Sequence, residues 1–321
     1  MISLFRIAQS LYRFAACFGV AFVVVATSAS AQGPSPESAP TQFPGGAFIS
    51  YNSAFESRNI VPGALVDAFL PAARPTFVHT GTFRFAWSPR TNWELMAALP
   101  VVTTNLSSPS VDVGGTGLGD LMLLVKYRFL RRDSERGTTQ LSITAGPKLP
   151  TGRTNLRSSG RLLAVPLQTG TGSTDFFLEM DGTYTGLFNF KRLVADESVS
   201  YWGRMQGSQK FRLGSELESR FWLSYRPYQT KFVNKEWFIG PSVDYRHYSR
   251  DELAGVPQQN SGGYVLSPGI TTYFSPAPGI HLWFAFEVPV AQDRAGAPTT
   301  FASQFSIGIT KQFMLRRLGK K

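Results

Sequence analysis

The feature that most constrains this chain is an alternation of apolar and polar residues that recurs along most of its length. In the segment 121–129 every odd-numbered residue is apolar, whereas the even-numbered set includes Lys126 and Arg128. The same period of two recurs in five other segments: 77–87, 175–184, 212–226, 280–288 and 301–313. Because successive side chains of a strand point to opposite faces, each segment predicts a strand with one apolar and one polar face.

The composition excludes two other classes of chain. After residue 31 there is no run of about 18 apolar residues, so a membrane-spanning helix is excluded there. Charged residues make up 17% of the chain, below the roughly 25% of a typical soluble domain. The 43% of hydrophobic residues, with 26 Phe, is too high for a disordered chain.

The first thirty-one residues have the pattern of a secretory signal peptide. Arg6 and Arg13 precede a short apolar run, and Ala29-Ser30-Ala31 fits a cleavage site before Gln32. The apolar run is shorter than the roughly 20 residues that a spanning helix needs, so a membrane anchor is the weaker interpretation. We predict a signal peptide at 1–31, a flexible periplasmic arm at 32–45 and one barrel domain at 46–321.

The alternating segments add up to twelve predicted strands. They lie near residues 46–57, 77–87, 93–104, 117–131, 138–149, 173–187, 192–204, 211–226, 235–248, 263–275, 279–290 and 299–315. The connections between them are alternately long and short, except that 205–210 and 227–234 are similar in length. Short turns at one end and long loops at the other are typical of outer-membrane barrels.

Hydrocarbon offers no hydrogen-bond partners, so strands can cross a membrane only in a closed sheet without free edges. We therefore predict an all-β, closed antiparallel transmembrane β-barrel of about twelve strands in the bacterial outer membrane. Its short turns are expected on the periplasmic side and its long loops outside the cell. A secreted β-sandwich is the alternative, because its strands also alternate. It explains less well why large aromatic residues are so frequent on the apolar face.

Glycine-rich motifs lie in the middle of the chain. Gly117-Leu-Gly-Asp120 opens a predicted strand, Leu149-Pro-Thr-Gly152 ends another, and Gln168-Thr-Gly-Thr-Gly-Ser-Thr-Asp175 precedes a third. In this order the motifs resemble the bacterial outer-membrane family named for the meta-pathway of phenol degradation. The resemblance covers about residues 114–180 and implies a barrel associated with uptake of aromatic or other hydrophobic compounds. Taken alone, the run Gly114–Gly119 lacks the strand-to-helix setting of a phosphate loop and predicts an outer loop.

The charged residues on the polar faces of the predicted strands are the candidate lumen-lining residues. They are Arg84, Glu94, Asp120, Lys126, Arg128, Glu179, Asp181, Arg212, Glu216, Glu218, Arg220, Asp244, Arg246 and Glu287. Both signs are present, so most are expected to pair across strands. Any unpaired member would set the charge preference of a passing solute.

The three histidines, His79, His247 and His281, lack the spacing of metal ligands, so no metal site and no cofactor is predicted. His247 and Ser249 share a strand face, about 6.7 Å apart between Cα atoms. Outer-membrane lipid hydrolases resemble this, using a serine nucleophile with a histidine base. However, Arg250-Asp251-Glu252 follows the pair here, where those enzymes have Asn-Gly.

The sequence therefore predicts a non-enzymatic outer-membrane channel for passive uptake of small, hydrophobic or aromatic solutes. The alternatives are a barrel lipid hydrolase that uses His247 and Ser249, and a structural barrel with a plugged lumen. The expected partners are the solute, outer-membrane lipid, lipopolysaccharide and the barrel-insertion machinery. The longest loop, which contains Arg153, Arg157 and Arg161, is expected either to fold inward or to contact lipopolysaccharide. Nucleic acid is not expected, because the net charge of +11 is spread along an exported chain.

Overall fold

The computed structural model describes residues 39, 44–64, 67–71, 73–135, 137–227, 236–293 and 296–315. The predicted signal peptide, 1–31, lies outside the described residues, as does most of the predicted arm, 32–45, so both stay predictions. Within the arm, Ala39 is fully buried, and its N–H donates to Oγ1 of Thr183 at 3.0 Å.

Strands dominate the structure, and three single-turn 3₁₀ helices lie between them. The strands are β1 (Gly46–Ile60), β2 (Phe77–Arg90), β3 (Trp93–Ser108), β4 (Val111–Leu118), β5 (Leu121–Asp133), β6 (Thr138–Leu149), β7 (Arg157–Ser158), β8 (Arg161–Leu162), β9 (Asp175–Thr185), β10 (Leu193–Gly203), β11 (Phe211–Arg212), β12 (Glu216–Tyr225), β13 (Trp237–Tyr248), β14 (Glu252–Leu253), β15 (Val256–Pro257), β16 (Gly263–Ala277), β17 (Ile280–Glu287), β18 (Ala291–Asp293) and β19 (Thr299–Met314). No helix in the described part of the chain is long and apolar enough to cross a membrane.

The main sheet closes on itself. It has fourteen strands. Both β4 and β5 pair with β3, and both β17 and β18 pair with β16, so each of these two pairs of strands occupies one position in the wall and twelve positions remain. Around the ring the order is β1, β2, β3, β5, β6, β9, β10, β12, β13, β16, β17, β19. The last strand pairs back onto the first, from Gly46 with Met314 to Ile60 with Thr299. The predicted closed antiparallel barrel of about twelve strands is therefore confirmed.

Each wall strand buries one face and exposes the other. On β5, Val125 and Phe129 are exposed, whereas Lys126 and Arg128 are buried. The buried face is the inner one, because the opposite wall shields the inside of a closed ring from solvent. An apolar outer face can meet lipid, while polar inner side chains satisfy one another within the ring.

The two ends of the barrel differ in the length of their connections. The turn end, where β1 begins and β19 ends, has tight turns at 91–92, 134–137 and 278–279. The opposite loop end carries longer segments, among them 61–76, 150–174 and 249–262. The exception expected from the sequence is also present, since the turn-end connection 226–236 is about as long as 204–215 at the loop end.

Two predicted segments need correction. The predicted loop at 105–116 is mostly strand, because β3 and β4 form a hairpin that turns at 109–110. Glycine is required in this strand, since a Cβ at Gly114 would lie 2.3 Å from the carbonyl oxygen of Thr104. The predicted strand 211–226 divides into β11 and β12, because the N–H of Gly214 between them donates to Oδ1 of Asp251 at 2.7 Å instead of joining the wall.

Candidate functional site: the barrel interior

The structure places most of the predicted lumen-lining residues on the inner face of the wall. Those that are less than a tenth exposed are Glu94, Asp120, Lys126, Arg128, Glu179, Asp181, Glu216, Asp244, Arg246 and Glu287. Arg84, Glu218 and Arg220 share this face and are partly buried. The inner face therefore holds many charges with little access to water, which is favourable only where the charges pair.

Arg212 is the exception, and its predicted place in the wall is wrong. It lies on β11, which pairs with β14 among the segments of the loop end. Its guanidinium contacts the carboxylate of Glu252, and its side chain is 40% exposed. The break in the wall at Gly214 moves Arg212 out of the alternating register on which the prediction depended.

One ion-pair network lies at the loop end of the interior and joins five wall positions. Lys148 Nζ lies 2.6 Å from Asp120 Oδ2 and 2.9 Å from Asp175 Oδ2. Arg204 continues the network from Asp175, at 3.1 Å, to Glu216, at 2.7 Å. The guanidinium of Arg204 also lies 4.5 Å from the ring centroid of Trp202.

The same network explains the glycine-rich motifs. The carboxylate of Asp120 accepts hydrogen bonds from the N–H of Gly152 at 2.9 Å and from the N–H of Thr171 at 3.0 Å. A Cβ on Gly152 would lie 2.6 Å from the Cα of Gly170, so only glycines let these two segments approach this closely. The motifs thus join the start of β5 to the long segment 150–174.

A second network lies on β1, β12, β13 and β17, around Arg246. Its guanidinium contacts Asp244 and lies 3.4 Å from Glu218, 3.6 Å from Glu287 and 3.8 Å from Glu56. Arg220 contacts Glu218 and lies 3.8 Å from Asp244. Glu56 also pairs with Arg58 at 2.5 Å, so among the described residues this network holds four carboxylates and three guanidinium groups.

Charged side chains also pair closer to the turn end. Lys126 Nζ lies 3.2 Å from Oδ2 of Asp181. Arg128 donates to Oε1 of Gln140 at 2.8 Å and to Oδ1 of Asn92 at 3.1 Å. Pairing across strands, as the sequence predicted for most of these charges, is thus observed in each part of the lumen described above.

Several members of these networks are absent from the predicted set: Glu56, Lys148, Asp175 and Arg204. The alternation could have identified Glu56, because Ile49, Tyr51 and Phe55 on β1 mark the opposite, outer face. Arg204 follows the last residue of β10, where periodicity gives no signal.

The interior also contains an apolar cluster that the alternation did not reveal. Its buried members come from the inner faces of β2, β3, β5, β9 and β10: Ala86, Met96, Ala98, Met122, Leu124, Phe177 and Trp202. The rings of Phe177 and Trp202 pack with their centroids 4.8 Å apart. The cluster is therefore an apolar patch next to charged inner residues of the same strands, such as Glu94, Lys126 and Glu179, whereas the inner face around Arg246 is mainly charged.

Most polar and charged side chains on the described inner face are closed off from solvent. A cavity of about 10 Å³ lies beside Asn52, Thr82, Arg84 and Trp283, which is room for about one water molecule. Trp283 donates from Nε1 to Oδ1 of Asn52 at 3.2 Å. A solute larger than water must therefore displace side chains on its way through this part of the lumen.

The predicted serine–histidine pair does not form in the structure. Ser249 follows the last residue of β13, and no hydrogen bond among the described residues joins its side chain to His247. A different pair does form on the outer face, where Ser53 Oγ lies 2.7 Å from His79 Nε2. The ring of His79 stacks on Phe55 at 4.5 Å, and no described carboxylate orients it, as a catalytic histidine requires. Within the described residues, no group of three or more His, Cys, Asp or Glu side chains is arranged to hold a metal ion.

Comparison with solved structures identifies the fold. An outer membrane channel of the COG4313 group from Pseudomonas putida F1 aligns with a TM-score of 0.61, over 88% of this chain and 100% of that chain, at 13% identity. LpxR from Salmonella typhimurium (TM-score 0.41, 11% identity, 82% of this chain and 99% of that chain) and the CymD monoaromatic hydrocarbon channel (TM-score 0.32, 10% identity, 86% and 90%) are more distant. The likeness to the Pseudomonas channel shows the barrel fold. The other two TM-scores are too low to support an inference about this chain.

Among curated proteins, none matches the chain. A family profile described as the MetA-pathway of phenol degradation matches residues 56–299, which include all the motifs around Asp120. Because this match covers most of the chain, the protein belongs to that family, as the motifs predicted.

Proposed function

We propose that the protein is an outer-membrane channel that passively admits small apolar or aromatic molecules. The observation that carries the proposal is the apolar cluster inside the barrel, including Met96, Met122, Phe177 and Trp202. A pore for hydrophilic solutes gains nothing from such a surface. An apolar solute, in contrast, gains about 25 cal/mol for each Å² of its surface that leaves water.

The chemistry of the cluster suits varied apolar solutes. Methionine side chains are flexible and polarisable, so Met96 and Met122 can adapt to solutes of different shape. Phe177 and Trp202 offer aromatic faces and edges, which add about 0.5–1.5 kcal/mol for a well-placed aromatic solute. The description of the family, which refers to phenol degradation, agrees with this solute class.

The limited solvent access of the inner face is compatible with a narrow channel that opens as solute passes. The charged networks around Arg204 and Arg246 join wall strands through ion pairs, whereas the side chains of the apolar cluster form no ion pairs, and only Trp202 among them stacks on a described guanidinium, that of Arg204. We expect displacement in the apolar cluster, because moving a methionine costs less than separating a buried ion pair.

Entry of the apolar dye 1-N-phenylnaphthylamine into cells tests the proposal, because an intact outer membrane excludes this dye. Expression of the protein should increase the rate of dye entry, whereas sucrose entry should not change. Phe177→Ala should reduce the gain by up to about tenfold, the equivalent of about 1.4 kcal/mol of lost contact. Met122→Asp, which places a charge in the cluster, should abolish it.

Trp93→Ala is the matched control, since Trp93 is an aromatic residue on the outer face of β3 and 42% exposed. The gel mobility of each variant with and without heating verifies that the barrel has folded. Dye entry that is the same with and without the protein, or the same in folded cluster variants, would refute the proposed solute class.

A structural barrel with a plugged lumen is the second candidate, and the limited solvent access of the inner face favours it. Conductance in planar bilayers separates the two functions, because a plugged barrel gives neither current nor solute flux. The hydrolase alternative is tested by measuring deacylase activity in the native protein and in Ser249→Ala. An activity that is lost in Ser249→Ala would favour an enzyme, and we expect no activity that depends on Ser249.

A further inference from the structure

The segments at the loop end pack together into one layer, which we call the cap. It consists of the described residues of 61–76, 150–174, 204–215 and 249–262, with the tip of the β3–β4 hairpin. Backbone hydrogen bonds join these segments, including Ala164 N–H to Ala68 O at 3.1 Å and Ser208 N–H to Thr171 O at 3.0 Å. Strands β11 and β14 pair within it and join 204–215 to 249–262.

The cap has its own small apolar core. Its buried members are Ala68, Ala73, Leu106, Leu163, Ala164 and Leu167, all 3% exposed or less. Leu106 belongs to the inner face of β3, and the neighbouring inner residue Thr104 donates from Oγ1 to the carbonyl oxygen of Leu167 at 2.8 Å. The core of the cap therefore rests on the inner wall at the mouth of the lumen.

The cap extends across the mouth. Segment 61–76 follows β1, and segment 249–262 follows β13, so β1, β19, β17 and β16 lie between them along the nearer side of the ring. On the other side, β2, β3, β5 and β6 separate 61–76 from 150–174. Contacts between segments this far apart around a ring must cross its opening.

A buried ion pair joins segments 61–76 and 249–262, which are four wall strands apart. The guanidinium of Arg74 contacts Oδ2 of Asp251, and the two side chains are 7% and 9% exposed. Arg74 also donates to the carbonyl oxygen of Ala73 at 2.9 Å, beside the apolar core of the cap. Oδ1 of Asp251 accepts the N–H of Gly214 at 2.7 Å, so this carboxylate joins three segments.

We infer that the cap is a lid over the lumen and that the Arg74–Asp251 pair is its latch. The inference rests on the proposed function, because a lid matters only if solute enters from the loop end. The pair ties segment 61–76 to segment 249–262, so we expect its loss to increase how often these two segments separate. Removing one partner leaves the other charge buried without the opposite charge that it contacts across the two segments, which favours the open state.

Opening of the lid can be measured without any solute. Leu163→Cys introduces a thiol at a fully buried position of the cap, and the only native cysteine, Cys17, lies in the predicted signal peptide. A membrane-impermeant maleimide should label Leu163→Cys at least tenfold faster when Asp251→Asn is also present. Asp251→Asn keeps the shape of the side chain and an oxygen that can accept from Gly214, so the fold of the cap is retained.

Arg131→Ala is the matched control, because the Arg131–Asp133 pair at the turn end is exposed and lies 3.0 Å apart. Labelling should not change in this variant. If Asp251→Asn and Arg74→Ala both leave the labelling rate unchanged in folded barrels, the pair is not a latch and the inference is refuted.

A reversible cross-link then connects the lid to transport. Arg74→Cys combined with Asp251→Cys removes the latch, and a reducible bifunctional thiol reagent restores a bond between the two segments. Dye entry should be fast in the double variant, slow after cross-linking and fast again after reduction. If Asp251→Asn increases labelling of Leu163→Cys while dye entry does not follow the cross-linking cycle, the lid exists and the proposed function fails. If neither changes, the lid is refuted.

Discussion

The orientation of the wall can be tested by moving a positive charge along the outer face of one strand. Ile307 and Ile309 lie on the exposed face of β19, each 48% exposed, and Lys311 follows on the same face near the turn end. A strand rises about 3.3 Å per residue and tilts by roughly 40° in such a barrel, so Ile307 lies about 10 Å deeper than Lys311. With an apolar band about 25 Å tall, Ile307 is close to the middle of the membrane.

The expected cost follows from this depth. Compared with alanine at the same position, lysine should lower the free energy of unfolding by about 2–4 kcal/mol at 307 and by about 1–2 kcal/mol at 309. At 311 the difference should be close to zero, since a lysine head near the interface can reach water.

Guanidinium titration in phospholipid vesicles, followed by tryptophan fluorescence, measures these three differences. Alanine is the matched control at each position, because it removes the native side chain without adding a charge. Equal differences between lysine and alanine at all three positions would refute the assignment of this face to lipid. A processed chain that stays folded in solution without detergent would refute it as well.

Three further perturbations test the interior and the loop end. Among the described residues, Arg246→Ala leaves Arg220 alone to balance the buried carboxylates of Glu218, Asp244 and Glu287, so we expect a loss of about 3–5 kcal/mol, measured by the same titration. Asp120→Ala releases segment 150–174 from the wall, which should increase the rate of trypsin cleavage within that segment, since cleavage requires local opening. Replacing both Arg157 and Arg161 by Ala should weaken binding of lipopolysaccharide to the purified barrel, because both side chains are exposed at the loop end; unchanged binding would place that contact elsewhere.

The closed sheet could be predicted from the sequence because two independent signals agreed. The period of two fixed the outer face of strands such as β5 and β19, and the alternation of long and short connections fixed their antiparallel order. The prediction of 211–226 as one strand failed because a backbone amide found a partner outside the wall. At Gly214 the acceptor is Asp251, which is distant in sequence, and no local pattern reveals such a contact.

The character of the lumen was harder to predict because the alternation marks residues by polarity rather than by position. An inward methionine such as Met122 lies between the outward residues Leu121 and Leu123, so in the sequence it only extends an apolar run. Polar inner residues are visible because they interrupt such a run, and a prediction made from them therefore overstates how charged the interior is. The structure corrects this bias, since the residues that hold the wall together are the charged ones that the pattern reveals. A passing apolar solute would touch the apolar inner residues, which the alternating pattern conceals. Variants chosen from polarity alone would therefore change the stability of the barrel and leave the solute path untested.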